Sequence, residues 1–418
     1  MEGITTEIAL NNIWVLLCAA LVFIMHAGFA CVEAGMIQSK NTANVIMKNF
    51  LTIAIGALSY YIIGYSLMYG SDIGGLIGSP FIGIMGDAFL KNSAGVDYLS
   101  LNVFWIFQAI FAATCATIVS GAIAERMKFG VYLGFCLVMC TVIYPVTGHW
   151  VWGGGWLSAG LGFTDFAGST AVHAVGGFSA MIGAKLVGAR ADKYPHRGAV
   201  RTIPGHSIPL GALGVLLLWF GWFGFNCGSG LLATADIGLV AINTMLAGAS
   251  GAVSAMAISY IKGSRRTDVS LTLNGGLAGL VGVTAGCAFV APWASIVIGL
   301  LAGIIMYYSV MLFERKFRID DPVGAISVHG ITGTFGTLCV GLFASSGGLL
   351  TEGSIERLGV QALGVAACAA YAILISFLYF SIVKKVFGLR VKKEEEIKGL
   401  DVCEHGVSAY NATGILDI

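Results

Sequence analysis

The sequence DFAGSTAVHAVGG at residues 165–177 returns in altered form as DPVGAISVHGITG at residues 321–333. The two copies share the pattern D-x-x-G-x-x-x-V-H-x-x-x-G and lie 156 residues apart. Each copy opens an apolar segment long enough to cross a bilayer. These are the fifth and tenth such segments, so the two copies run through the membrane in opposite directions. An inverted repeat of this kind, here segments 1–5 against 6–10, predicts a functional site near the midplane, between the two halves.

The composition of the chain is typical of a membrane protein. Of its 418 residues, 57% are hydrophobic and 11% are charged, and the mean hydropathy is +0.86. A soluble domain carries about 25% charged residues. With a net charge of +1, the chain also lacks the basic surface of a nucleic-acid binder. We therefore exclude a cytosolic enzyme, a nucleic-acid-binding protein and a disordered chain. The ten cysteines form no CxxC pair, so no metal, disulfide framework or cofactor is expected.

Eleven segments approach or exceed the roughly 20 mostly apolar residues that a spanning helix needs. They cover residues 10–36, 44–70, 101–124, 129–149, 166–188, 206–229, 237–261, 270–290, 293–313, 322–345 and 358–387. The apolar runs are continuous and do not alternate, which argues against a β-barrel. The predicted fold is an all-α integral membrane protein with eleven transmembrane helices. Ten of them form two inverted five-helix repeats, and the eleventh is extra.

The distribution of lysine and arginine predicts the orientation, because these residues concentrate on the cytoplasmic side of membranes. With the N-terminus outside, 21 of the 23 lie on the inner side, and Lys91 and Arg357 lie outside. Residues 389–418 are charged and polar, and they are predicted to form a cytoplasmic C-terminal regulatory tail. Residues 1–388 are predicted to form the transmembrane domain. The expected location is the cell membrane, as a multi-pass protein in contact with lipid.

The two histidines of the repeat, His173 and His329, are predicted to meet. Each follows its aspartate by eight residues. Eight residues of helix span about 12 Å, close to half of the ~30 Å hydrocarbon layer. One histidine is reached from outside and the other from inside, so both arrive near the same depth. An imidazole in hydrocarbon needs a partner, and one ring can donate its N–H to the bare nitrogen of the other. The alternative is two unrelated structural histidines bonded to backbone.

Six motifs follow one another along the chain. They are VEAG at 32–35, GAIAER at 121–126, VWGGG at 151–155, DFAG at 165–168 with His173, WFGFN at 222–226 with Ser229, and DD at 320–321 with His329. Each motif alone is weak. Together and in this order they resemble the ammonium transporter, methylammonium permease and Rhesus superfamily, specifically its prokaryotic ammonium transporters. The resemblance covers nearly the whole chain.

This resemblance implies eleven helices around one narrow pore in each subunit of a homotrimer. It also implies roles for particular side chains. His173 and His329 correspond to the family's twin pore histidines, and Phe111 and Phe225 to its gate of two stacked phenylalanines. Asp165 corresponds to the acid that shapes the outer vestibule. Outer recruitment of ammonium is assigned to Trp152, Ser229, Phe107 and Phe111. Two of these residues have a simpler alternative. Asp165 starts a helix, where a carboxylate is a favourable cap, and tryptophan collects at membrane interfaces in general.

The chemistry of ammonium explains why such residues would suit it. Potassium has the same charge and a similar size, but ammonium donates directional hydrogen bonds and can lose a proton. Cation–π contacts of about 0.5–2 kcal/mol concentrate the ion without trapping it. The idealised cost of moving a bare ion into a low dielectric is on the order of 20 kcal/mol, whereas a neutral amine costs only a few. A dry pore therefore admits ammonia and excludes potassium, and imidazole suits the handling of the proton.

Two positions depart from the family pattern. Gly324 stands where another acid often follows the inner aspartates, which puts an acidic contribution at the inner exit in doubt, and Val407 stands in the tail where glutamate is frequent. Glu33 and Glu125 lie near the inner ends of spans, where we expect them to pair with lysine or arginine. The family's tail packs under the neighbouring subunit, and in some members a PII-type nitrogen-regulatory protein blocks the pore from the cytoplasm. A merely solvated tail is the alternative.

Four functions compete at this point. The first is an ammonium transporter, and the second is an ammonium sensor with the same fold that signals through a cytoplasmic partner. A fused kinase or cyclase would favour the sensor, but the predicted tail, residues 389–418, is too short for one. A neutral-gas channel of Rhesus type is disfavoured, because a vestibule that recruits a cation is of no use to a neutral substrate. An enzyme is disfavoured because no zinc, serine or aspartyl constellation appears.

Overall fold

The computed structural model describes residues 5–80, 89–195 and 199–410. Within them, ten helices are long and apolar enough to cross a membrane. They are helix 1 (Thr6–Met36), helix 2 (Ser39–Tyr69), helix 3 (Leu101–Ala122), helix 4 (Phe129–Gly160), helix 5 (Ser169–Val187), helix 6 (Ile208–Gly228), helix 7 (Ile237–Lys262), helix 9 (Pro292–Phe317), helix 10 (Ile326–Phe343) and helix 11 (Glu356–Val386). Helix 8, Val269–Thr284, is also apolar but has only 16 residues. The predicted all-α membrane architecture is confirmed, with ten spans and this shorter eleventh helix.

The remaining elements are small and lie between or after the helices. Two antiparallel strand pairs connect helices 2 and 3, Asp72–Ile73 with Ile77–Gly78 and Phe89–Lys91 with Asp97–Ser100. A four-residue helix, Leu349–Glu352, precedes helix 11. Arg197, which was counted on the inner side, lies outside the described residues. Residues 1–4, at the start of the predicted transmembrane domain, and residues 411–418, at the end of the predicted tail, also lie outside the described residues.

Helices 1 and 6, the first helices of the two repeats, pack closely along each other. Glycine makes this approach possible: a Cβ on Gly35 would collide with the backbone of Gly211, and one on Gly214 would collide with the backbone of Gly28. Small residues let helix backbones approach within a membrane, where packing rather than hydrophobic exclusion holds helices together.

Helices 5 and 10 carry the repeated pattern and run in opposite directions. Helix 5 begins after Asp165, whose backbone carbonyl accepts a hydrogen bond from Trp152. Helix 10 begins after Asp320 and Asp321, and Asp320 accepts hydrogen bonds from Arg190, which lies just beyond the end of helix 5. The start of helix 10 therefore lies beside the end of helix 5. We call the two faces of the molecule the Trp152 side and the Arg190 side.

The repeated pattern is explained by how these two helices begin. Gly168 and Gly324 have φ of 114° and 79°, a left-handed conformation that glycine adopts without steric cost. Each aspartate then caps the helix start. Asp165 accepts hydrogen bonds of 2.8–3.0 Å from the amides of residues 168–171, and Asp321 accepts bonds of 3.0 and 2.7 Å from those of residues 324 and 326.

Both histidines of the pattern lie in π-helical turns, Ser169–Ala174 and Ile326–Ile331. Each π-helical turn packs against the α-helical part of the other helix. The contact is close, because a Cβ on Gly177 would collide with the backbone of Gly330. Single π-helical turns within α-helices are frequent at functional sites.

A buried ionic cluster holds the Arg190 side together. Arg190 lies between Glu125 and Asp320, and all three side chains are buried. Burial opposes ionisation of Asp320, but its hydrogen bonds from Arg190 and the charge of Arg126 outweigh that effect and hold its pKa well below the usual range. Asp320 therefore stays charged at neutral pH. The expected pairing of Glu125 with a basic residue is present.

The C-terminal segment docks on the Arg190 side of its own chain through two short helices, Lys393–Lys398 and Leu400–His405. Its anchoring contacts are hydrogen bonds from the Leu400 amide to Asn41 (2.8 Å), from the Asn44 amide to Asp401 (2.8 Å) and from the Phe129 amide to Glu404 (2.9 Å), and the ion pair of Arg390 with Glu396 (2.7 Å). The segment is thus a packed part of this face.

Candidate functional site

A cavity of about 700 Å³ lies on the Trp152 side of the helix bundle. Its walls are mainly aromatic, and it contains all four residues that the family resemblance assigned to outer recruitment. The lining residues are Tyr65, Tyr69, Leu90, Tyr98, Leu101, Phe104, Phe107, Gln108, Phe111, Trp152, Phe166, Ser229 and Leu231. We call this cavity the vestibule. Aromatic faces with a hydroxyl among them suit a small organic or ammonium-like cation.

Aromatic rings close the floor of the vestibule. Phe111 stacks on Phe225, with ring centroids 4.1 Å apart and planes at 20°. Phe107 contacts Phe111 on the vestibule side at 4.7 Å. Phe111 and Phe225 are both buried, and their stack leaves no gap for an ion between the rings. Passage from the vestibule therefore requires one of these rings to move.

The histidine pair lies directly beyond this stack. The ring of His173 stacks on that of Phe225 at 5.4 Å, and its Nδ1 lies 3.2 Å from Nδ1 of His329. Both side chains are buried. One nitrogen must therefore carry a proton and the other must accept it, as the depth argument anticipated. Among the described residues, Nε2 of His173 has no hydrogen-bond partner.

Two polar side chains of the vestibule are held by backbone. The Ser229 hydroxyl donates to the Phe225 carbonyl at 2.8 Å, so its oxygen is free to accept a hydrogen bond from a guest. The Trp152 indole N–H donates to the Asp165 carbonyl at 2.7 Å. That bond fixes the indole ring, which lies edge-on to Phe111 at 6.4 Å.

Asp165 does not line the vestibule. Its side chain is 4% exposed, and both carboxylate oxygens accept amide hydrogen bonds at the start of helix 5. Burial raises its pKa, and the four amide bonds oppose that shift. The geometry is that of a helix cap which also positions Trp152 through its backbone. A direct contact of this carboxylate with a guest in the vestibule has no geometric support.

A second, much smaller cavity of about 20 Å³ lies beyond His329, toward the Arg190 side. Four of its lining residues carry polar side chains: His329, Glu33, Thr117 and Asn274. The rest are small or apolar: Phe29, Val32, Ile118, Gly121, Leu218, Leu277, Val323, Ala325 and Val328. We call this cavity the inner chamber. Its volume suits one molecule of about the size of water.

Two residues that the sequence analysis did not single out lie against the histidine pair. The Trp222 indole stacks on His173 at 5.2 Å and 19°, anchored by its N–H on Thr284. Phe29 lies 6.0 Å from the His329 ring. Trp222 belongs to the WFGFN motif, which was a usable signal, but nothing marked Phe29 in a helix that is apolar on every face.

Glu33 is the residue whose expected environment was wrong. Among the described residues, no lysine or arginine lies within salt-bridge distance of its carboxylate, which instead accepts a 2.7 Å hydrogen bond from Ser120. The vestibule, the ring stack, the histidine pair and the inner chamber form one line through the molecule. Its open end is lined mainly by aromatic residues, which suit a cation, and its middle is buried and mostly apolar, which favours a neutral molecule over an ion.

Comparison with known proteins identifies the family of the chain. A profile of the Ammonium Transporter Family matches residues 13–410. The chain is 44% identical over 425 residues to the ammonium transporter Amt2 of Archaeoglobus fulgidus, covering 97% of this chain and 89% of that protein. It is 43% identical over 407 residues to a putative ammonium transporter of Synechocystis sp., covering 95% and 88%. Similar solved structures include a Sensor Amt Protein, with 41% sequence identity and a TM-score of 0.90 over 97% of this chain and 100% of that one. They also include Saccharomyces cerevisiae Mep2, with 28% identity and a TM-score of 0.85 over 94% of this chain and 91% of that one.

Proposed function

This chain belongs to the ammonium transporter family, and we propose that it carries ammonium across the cell membrane by removing a proton from the ion and conducting ammonia past the His173–His329 pair. The protein is a multi-pass integral membrane protein. The observation that carries the mechanism is the direct contact of two buried imidazoles beyond a closed pair of phenylalanines. A buried, mostly apolar passage of this kind disfavours an ion that keeps its charge and favours a neutral molecule.

Recruitment takes place in the vestibule. Ammonium sits against the faces of Trp152 and Phe107, which attract it by cation–π contact, and donates a hydrogen bond to the Ser229 oxygen. The free lone pairs of that oxygen and the fixed ring of Trp152 support this role. Asp165 acts through the position of Trp152 and caps helix 5. The contacts are weak individually, so the ion is concentrated without being trapped.

Deprotonation takes place at the ring stack. The charged ion does not cross Phe111 and Phe225, because a bare charge in such a dry, apolar segment costs far more than these contacts return. When a ring rotates aside, an N–H bond of ammonium breaks as its proton passes to Nε2 of His173, and the neutral ammonia that is left crosses the stack. Potassium has no proton to give up and is excluded at this step.

The histidine pair receives both the molecule and the proton. Nε2 of His173 has no partner among the described residues and is placed to accept a hydrogen bond from a guest. The short Nδ1–Nδ1 contact supports transfer of a proton from one ring to the other. Imidazole suits this step because both of its forms are accessible near neutral pH.

The arrangement in the membrane completes the proposal. The N-terminus and the Trp152 side face outward, and the Arg190 side faces the cytoplasm, as the lysine and arginine distribution indicates. Eleven helices cross the membrane, and the short helix 8 is one of them. Residues 1–388 form the transport domain. The assembly is a homotrimer with one pore in each subunit. Residues 389–418 form a regulatory tail, and a PII-type nitrogen-regulatory protein binds at this cytoplasmic face. The protein is not an enzyme.

The test is a current measurement on purified protein in liposomes on a solid support. A jump in ammonium concentration should give a transient current, and an equal jump in potassium should not. Equal currents for the two ions would remove the selectivity mechanism. The absence of an ammonium response in any assay of flux would remove transport itself.

A second candidate is an ammonium sensor of the same fold. The similarity to a solved Sensor Amt Protein favours it, at 41% identity and full coverage of that chain. The vestibule would then bind ammonium without passing it, and the docked C-terminal segment would report occupancy to a partner. Tight ammonium binding with no flux of ammonium or ammonia would support the sensor against the transporter.

A further inference from the structure

The inner chamber contains an ionisable side chain that the proposed path has not used. Glu33, near the end of helix 1, lines this chamber together with His329. Its side chain is 2% exposed, so it is removed from bulk water. The chamber has room for about one water-sized molecule, and ammonia is of that size. Ammonia that leaves the histidine pair therefore arrives next to a carboxyl group.

The partners of Glu33 differ from those of the structural carboxylates in the same chain. Glu125 and Asp320 are locked by the guanidinium of Arg190. The partners of Glu33 are neutral: the Ser120 hydroxyl donates a hydrogen bond of 2.7 Å to its carboxylate, and the Asn49 side chain also interacts with it. An adjacent guanidinium favours the charged form of a carboxyl group, whereas a carboxyl group with only neutral partners and a guest molecule can take up and release a proton.

The charges that face Glu33 come from three directions. Lys48 on helix 2 attracts a negative charge there, and Asp321 before helix 10 opposes it. The imidazole of His329 lies in the same chamber. Lys48 is fully buried, and its ammonium group has no hydrogen-bond partner among the described residues. It can therefore stabilise the charged form of Glu33 from a distance without holding it in a fixed pair.

We propose that Glu33 returns the proton to ammonia in the inner chamber; this inference rests on the proposed function. The O–H bond of the neutral carboxyl breaks, and a new N–H bond forms on the lone pair of ammonia. Ammonium then leaves toward the Arg190 side. The carboxylate is reloaded through His329 with the proton that the incoming ammonium released at the ring stack. In each cycle Glu33 gives one proton to ammonia and receives one from His329. One ammonia and one proton therefore cross together, which moves one net positive charge.

Removal of the carboxyl group has a specific consequence under this scheme. Ammonia still crosses the dry segment, because its path does not depend on Glu33. The proton has no acceptor beyond His329 and stays behind. Transport then becomes electrically silent, and ammonia that reaches the liposome lumen takes its proton from the lumen and makes it alkaline. General misfolding would remove the current and the alkalinisation together.

The experiment compares these two signals in liposomes that contain a trapped pH-sensitive dye. For Glu33→Gln, we expect the ammonium-evoked current to fall about tenfold or more, because a positioned general acid contributes about 10²–10⁴-fold. The alkalinisation above that of protein-free liposomes should persist. Glu33→Asp keeps a carboxyl group and should restore most of the current. The control is Glu314→Gln, which removes a carboxylate that pairs with Lys193 on the same face, and it should behave as wild type.

Each result decides between the proposals. A wild-type current in Glu33→Gln overturns the role of Glu33, as does joint loss of current and alkalinisation in a folded variant. Alkalinisation without current in the wild type overturns it as well, while leaving ammonia conduction intact. A wild type with neither signal contradicts the proposed function itself.

If Glu33→Gln fails to fold, Ser120→Ala serves instead. It removes the hydroxyl partner and should shift the pH at which the current is half-maximal, and an unchanged pH profile would overturn the role of Glu33.

Discussion

At the scale of single residues, the histidine pair gains its properties from what surrounds it. His173 is enclosed by the rings of Phe225 and Trp222 and by His329 itself. Rings on these sides exclude water, which would otherwise hydrate a passing ion and lower the cost of its charge. The pair can thus offer a nitrogen to a neutral guest without offering a wet path to a cation.

The double substitution of His173→Ala and His329→Ala should abolish ammonium selectivity. Two methyl groups in place of two imidazoles leave room for water and remove the proton acceptor. We expect either loss of the ammonium current or the appearance of a potassium current in the liposome assay. His26→Ala is the matched control, since His26 is also buried in a spanning helix but lines neither the vestibule nor the inner chamber. Wild-type selectivity in the double variant would assign the pair a structural role.

The Ser229→Leu substitution should weaken recruitment. It removes the hydroxyl oxygen of the vestibule, and a hydrogen bond to a charged group contributes about 1.5–3 kcal/mol, or roughly tenfold or more in affinity. The ammonium concentration that gives half-maximal current should rise accordingly. Ser229→Thr retains a hydroxyl and should remain close to wild type. If leucine leaves the concentration dependence unchanged, Ser229 has no part in recruitment.

At the scale of elements, the starts of helices 5 and 10 decide where the histidines point. A left-handed glycine turns the chain into each helix, and an aspartate cap fixes the first turn. The π-helical turns follow immediately. An error in any of these steps would rotate the histidine about its helix axis, away from its partner. Local backbone conformation is thus coupled directly to the contact at the centre of the molecule.

The Gly324→Ala substitution should destabilise the protein. The φ of 79° at this position is unfavourable for a residue with a Cβ by about 1–2 kcal/mol. The added methyl would also lie 2.8 Å from the Asn274 amide nitrogen. We expect a lower midpoint of thermal unfolding in detergent. Gly359→Ala in helix 11, where a Cβ would meet nothing within 4 Å, is the control and should be neutral or stabilising. Equal midpoints for Gly324→Ala and the wild type would contradict this account of the helix start.

At the scale of the whole molecule, the docked C-terminal segment links the ends of several helices on the Arg190 side. It bonds to the junction of helices 1 and 2 through Asn41 and Asn44, and to the start of helix 4 through the Phe129 amide. Movement of the segment would therefore act on helix 2, which carries Lys48. This supports regulation of transport through the tail.

The Asp401→Ala substitution should release this segment. The carboxylate of Asp401 is 1% exposed and accepts the Asn44 amide, and loss of a hydrogen bond to a charged group costs about 1.5–3 kcal/mol. Trypsin should then cut faster at Lys392, Lys393 and Lys398. Glu394→Ala changes an exposed carboxylate of the same segment and should leave the cleavage rate unchanged. Equal cleavage rates in wild type and Asp401→Ala would show that this contact does not hold the segment.

The sequence predicts this architecture well where one physical signal dominates. Continuous apolar runs marked the helices, and the repeat with its depth arithmetic led to the His173–His329 contact. The rotation of each helix about its axis was harder to predict, because helices in lipid are apolar on every face and carry no amphipathic stripe. Hence Phe29 and the location of Glu33 in the inner chamber were missed. Helix 8 is shorter than its apolar run, since residues 285–289 leave the helix in a turn.

The stacked phenylalanines have a consequence for the living cell. Under the proposed mechanism, the two rings 4.1 Å apart would keep the resting protein closed to ions, and a membrane that contains it would keep its voltage. Each transport cycle would have to wait for a thermal rotation of one of the two phenylalanine side chains. Side-chain fluctuations, rather than the diffusional supply of solute, would then set the maximum rate, and the charge that crosses would be limited to the proton that accompanies each ammonia.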